Sequence, residues 1–150
     1  MNGLFANLFE IFSLLRLSTY DSDGTPFDFS DDLANNVPSQ PYVWMGILFI
    51  VITLLMVTLL YTRFDNPKYS NIKTYILFLL IAVVISFIGA AAISYVQLQG
   101  YCIETHGLYP YPIHFNLTLG GVAALYSAIL FFISSLIFRK FSVNQKNNPL

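Results

Sequence analysis

Three stretches of the chain, Tyr42 to Tyr61, Thr74 to Leu98 and Leu117 to Phe138, contain no Asp, Glu, Lys, Arg or His. Each is near or above the roughly 18 apolar residues needed to cross hydrocarbon as a helix. All seven prolines fall outside them, so each stretch can satisfy its backbone within one unbroken helix, as lipid demands. Aromatic residues gather at the ends: Tyr42, Trp44 and Tyr61 on the first, Tyr75 and Tyr95 on the second, Phe138 and Phe141 after the third. That is where amphipathic rings settle at a membrane surface.

A shorter apolar pattern precedes them. At helical steps of 100°, Leu4, Phe5, Leu8, Phe9, Ile11, Phe12 and Leu15 share one broad face, and Asn7, Glu10 and Ser13 share the other. The pattern predicts an amphipathic N-terminal helix over Gly3 to Leu17, too short to span, lying along the membrane surface or docked on protein. Ser18 to Pro41 then carries Asp21, Asp23, Asp28, Asp31 and Asp32 with Gly24, Pro26, Pro38 and Pro41, and reads as an acidic loop. Asp21, Asp23 and Gly24 share the opening of a calcium loop, but the twelve-position spacing with its closing Glu is missing. The fold class is therefore all-α: a polytopic membrane protein with three transmembrane helices and an amphipathic N-terminal helix. Its expected divisions are an N-terminal region over 1–41, a transmembrane domain over 42–138 and a short basic polar tail over 139–150.

Composition agrees. Of 150 residues, 56 % are hydrophobic and only 10 % charged, with a mean hydropathy of +0.64. A soluble domain carries about a quarter charged residues, so a soluble enzyme, a disordered tail and a nucleic-acid binder are excluded. Met1 to Leu17 lacks a basic leading region and a small-residue cleavage site, so no standard signal peptide is expected. Cys102 is the single cysteine, which excludes an intrachain disulfide framework.

The net charge of −1 says little, whereas the placement of the basic residues says much. Arg63, Lys68 and Lys73 lie around the first connection and Arg139, Lys140 and Lys146 around the tail, leaving Arg16 alone on the opposite side. Positive residues stay inside, so the first connection and C-terminus are expected to be cytoplasmic and the N-terminus and Gln99 to Asn116 outside. The size and the asparagine-rich tail suggest a bacterial inner membrane.

Small residues mark the faces expected to pack. Ala82, Ser86, Ala90 and Ser94 recur every fourth residue in the second span, and Gly120, Ala124 and Ala128 do so in the third. Such rows let backbones approach closely, which predicts an antiparallel hairpin of spans two and three. The first span is lined by larger side chains, from Ile47 to Leu60, and can face the hairpin, lipid or a partner.

The outward connection holds the candidate chemistry. Cys102, Glu104, His106 and His114 are ligand types for zinc or copper, but their spacing fits no strong template and frequent alternatives are structural. Only His114 sits near a span end, where a haem ligand would be wanted. Tyr101, Tyr109 and Tyr111, with Pro110 and Pro112, read more simply as a stiff aromatic cap or partner-facing loop. Asn116-Leu117-Thr118 matches the N-glycosylation pattern but abuts a span, where it is better read as chance. No nucleophilic triad or phosphate loop can be assembled, and no cofactor is expected.

These features point to a non-catalytic accessory or assembly subunit of a larger membrane complex, contacting lipids and either membrane protein partners or further copies of itself. One alternative is a homo-oligomeric channel or membrane-perturbing protein, its pore drawing on hydroxyls such as Ser86, Ser94 and Ser127. Another is a small metal or redox membrane subunit built on the outward connection.

Overall fold

Three long helices carry the architecture: α1 (Pro41–Thr62), α2 (Ile72–His106) and α3 (Ile113–Arg139). The computed structural model describes residues 5, 8, 9, 18–20, 26–28, 40–62, 72–106 and 113–139; side chains at 18–20, 26–28, 98–106, 114 and 139 lie outside that description. Each helix contains a segment long and apolar enough to cross a membrane: Pro41–Thr62, Ile72–Gln97 and Phe115–Phe138. The chain is thus a multi-pass, integral membrane protein whose helices present apolar surface to lipid.

Local signals set the helix ends. Pro41 takes the first position of α1, where a missing N–H costs nothing and its fixed φ suits the helix. The Gln40 carbonyl accepts from the Val43 N–H at 3.1 Å, closing the first turn, and Gln40 itself turns the chain in with φ of 50°. α2 runs on to His106, well past the apolar boundary at Leu98, because Gly100 alone is a weak breaker and no proline intervenes. α3 follows directly on Pro112. The expected outward loop is therefore shorter than its polar composition implied: Tyr101, Cys102, Glu104 and His106 are helical positions, as is His114.

Pairwise contacts give the topology. Phe49 meets Tyr126, Thr53 meets Ser127 and Tyr61 meets Ser135, so α1 and α3 ascend together and are parallel. Ser94 meets Asn116, Ala91 meets Gly120 and Tyr75 meets Phe131, so α2 runs antiparallel to α3. The α2–α3 pairing is the most extensive in the bundle. The core falls into two clusters. One, toward the Pro41 end, gathers Phe9, Tyr42, Met45, Phe49, Phe115 and Leu119; the other, toward the Thr62 end, gathers Val57, Leu60, Tyr61, Phe78 and Phe131.

Within the acidic stretch read as loop, a short antiparallel hairpin forms from β1 (Ser18–Tyr20) and β2 (Pro26–Asp28), with Thr19 opposite Phe27. Thr, Tyr and Phe are strand-favouring types, and a period too short to register in a hydropathy reading suffices for three paired residues. The predicted helix over 3–17 lies outside the described residues except at Phe5, Leu8 and Phe9, all three of which are helical.

Candidate functional site: polar tiers and an aromatic dock inside the bundle

The residues singled out for packing occupy the bundle interior unevenly. Ala82, Ser86, Ala90 and Ser94 are completely buried along one side of α2. On α3, Gly120 is buried while Ala124 and Ala128 are half-buried, and the most enclosed positions are instead Leu119, Ala123, Ser127 and Phe131. A β-carbon placed on Gly120 would stand 2.8 Å from the Phe87 carbonyl oxygen and 3.2 Å from Ala91 Cβ, so α2 and α3 touch there backbone to backbone. Gly121, one residue on, faces open space. Gly89 makes room on the opposite flank of α2 for Leu48 of α1.

Three tiers of uncharged polar groups tie the helices together at different depths. Nearest the Pro41 end, the Ser94 hydroxyl donates to Asn116 Oδ1 across α2 and α3. At mid-depth Thr53 and Ser127 join α1 to α3 at 2.8 Å. Toward the Thr62 end, Tyr61 and Ser135 do the same at 2.7 Å. Completely buried apolar side chains separate the tiers: Leu119 lies between the first two on α3 and Phe131 between the last two. The hydroxyls are therefore helix-to-helix locks and do not line up as a continuous polar path.

Ser86, Ser94 and Ser127 have zero exposure within the single chain. Among the described residues, fully outward positions on the three spans are apolar except for Thr58, Thr62, Lys73 and Tyr95. Ser86 has no hydrogen-bond partner for its buried hydroxyl. Asn116 is buried, with its Oδ1 bonded to Ser94 and its Nδ2, the atom a glycan would join, enclosed as well.

A second feature, which hydropathy alone missed, is the seat of the N-terminal residues. Phe9 is completely buried in an aromatic nest, with ring centroids 5.6 Å from Tyr42, 6.4 Å from Phe49 and 6.2 Å from Tyr126. Phe49 and Tyr126 stack on each other at 6.1 Å. The Phe5 ring fills the space over Gly46, where an added β-carbon would stand 2.3 Å from it. The Tyr126 hydroxyl donates to the Leu8 carbonyl at 2.5 Å. The available signal was the spacing of Phe5, Leu8 and Phe9, an i, i+3, i+4 set, together with a glycine in an otherwise bulky first span.

Among the described residues no three His, Cys, Asp or Glu side chains come together as a metal site. Cys102, Glu104 and His106 occupy the last turns of α2 and His114 the first turn of α3, with their side chains outside the described set. Tyr101 is on α2 as well, whereas Tyr109 and Tyr111 lie in the undescribed connection. Set against family models, curated proteins and solved structures, the chain matches none of them.

Proposed function

We propose that this chain is a non-catalytic accessory or assembly subunit of a larger membrane protein complex, residing in a bacterial cytoplasmic membrane. The observation that carries the reading is the separation of its two surfaces. Among the described residues, Thr53, Ser127, Tyr61, Ser135, Ser94 and Asn116 pair between helices inside the bundle, while outward positions are apolar except for Thr58, Thr62, Lys73 and Tyr95. A protein built this way offers little polar surface at membrane depth among the described residues, and meets its surroundings mainly through apolar contact with lipid and other helices.

The proposal includes a topology. Lys73 opens α2 and Arg139 closes α3, which are the same end of the bundle as Thr62. With Arg63, Lys68, Lys140 and Lys146 nearby in sequence, this end is the cytoplasmic one, placing the N-terminus and the α2–α3 connection outside. It also includes an amphipathic helix over the N-terminal residues, supported by the helical state of Phe5, Leu8 and Phe9 and by the burial of Phe9 against the bundle.

Purification from native membranes in a mild detergent tests the reading. A stable assembly with other membrane subunits, or a defined self-association, is the expected result. A monodisperse monomer with nothing bound contradicts it, and solute flux from vesicles containing the purified protein alone replaces it with the channel reading.

A further inference from the structure

We infer that Phe5, Leu8 and Phe9 are the anchors of a re-entrant arm that enters the membrane from the Pro41 side and straps α1 to α3 within the outer half of the bilayer. The inference rests on the three-span reading and is independent of what complex the protein joins. Its basis is the depth of the arm's contacts. Gly46 and Phe49 lie five and eight residues into α1, which at 1.5 Å per residue is on the order of 10 Å below the helix start. Hydrocarbon is about 30 Å thick, so contacts at that level belong well inside one leaflet and not in its headgroups.

The contacts reach both α1 and α3. Phe5 fills the notch over Gly46 on α1. The Leu8 carbonyl accepts from Tyr126 on α3, and Phe9 wedges among Tyr42, Phe49 and Tyr126. The notch and the ring are complementary, because any side chain at position 46 larger than hydrogen would occupy the Phe5 ring's place.

The solvent decides what holds this strap. In lipid, apolar side chains gain little from hiding one another, so among the described residues the arm is held by packing and by the Tyr126–Leu8 hydrogen bond. A groove of Gly46, Phe49 and Tyr126 is thereby covered by side chains of the same chain.

Crosslinking of the full chain in native membranes tests this, with Cys102→Ser as background. Phe9→Cys paired with Tyr42→Cys is expected to join within one chain through a short bismaleimide. A lone Leu8→Cys is expected to react with an impermeant maleimide several-fold more slowly than Gln40→Cys at the membrane surface. Adding Tyr126→Phe, which removes only the hydroxyl, is expected to raise the Leu8→Cys rate about threefold. Joining between chains shows the arm exchanged among copies and overturns the cis strap. Absence of joining, or a Leu8→Cys rate equal to that of Gln40→Cys, overturns the re-entrant placement. Positions 68 and 109 labelled from opposite sides in the same variants show that the three spans persist, separating failure of the arm from failure of the bundle.

Discussion

Thr53 and Ser127 share a hydrogen bond whose direction follows from a third atom. The Thr53 hydroxyl is 2.6 Å from the Phe49 carbonyl oxygen, which can only accept, so the single Thr53 proton goes there. Ser127 must then donate to Thr53 across the 2.8 Å gap, forming a relay from α3 through α1 to its own backbone. Thr53→Val keeps the shape and removes both bonds, while Ser127→Ala removes one. A double-mutant cycle, read from unfolding in mixed micelles, is expected to give a coupling of about 0.6 to 1.7 kcal/mol. Strict additivity of the two changes contradicts the bond.

Two adjacent glycines should respond in opposite ways. Gly120→Val drives a branched side chain into the Phe87 carbonyl and is expected to destabilise by ~2 kcal/mol or more, through overpacking at the α2–α3 contact. Gly121→Ala meets open space and is expected to be neutral or to stabilise, by at most ~1 kcal/mol, through helix propensity alone. The same unfolding assay checks both. Equal effects at the two positions contradict the close approach.

Ser86 is the inverse of Ser127. Its buried hydroxyl lacks a partner, so Ser86→Ala removes an unsatisfied group and is expected to be neutral or to stabilise by up to ~1 kcal/mol. A clear loss of stability on that change means the hydroxyl is engaged.

Asn116 is expected to stay unmodified. Expressed in a glycosylating eukaryotic host, the protein should show no mass shift on endoglycosidase treatment, because the Asn116 Nδ2 is buried at the start of the third span. Asn116→Ala should instead lower stability by about 1 kcal/mol by stranding the Ser94 hydroxyl. A glycan on Asn116 contradicts the packing of α3 against α2.

The three helices were legible because lipid leaves a coarse signature: long uncharged runs without proline, bounded by aromatic residues. The same signature marks where the span ends, at Gln97, and not where α2 ends, at His106. Hydropathy falls after Leu98, where the lipid stops, but a helix stops at a strong breaker, and beyond the weak Gly100 none comes before the Gly107 to Pro112 stretch. On α3 the fourth-residue row through Gly120, Ala124 and Ala128 follows one line on the helix surface. The most enclosed line passes through Leu119, Ala123 and Ser127, since this helix packs against two neighbours and buries a broader face. Pairings such as Tyr126 with Leu8, 118 residues apart, have no periodicity to reveal them. They depend on which groove the folded helices leave open.

The central claim, that the chain crosses the membrane three times with its basic end in the cytoplasm, is tested most directly by single-cysteine labelling in intact cells. In the Cys102→Ser background, an impermeant thiol reagent should modify Tyr109→Cys from outside, and Lys68→Cys and Lys146→Cys only after the membrane is opened. Labelling of Tyr109→Cys and Lys68→Cys from the same side would contradict the three crossings, and labelling of Lys68→Cys alone in intact cells would reverse the orientation.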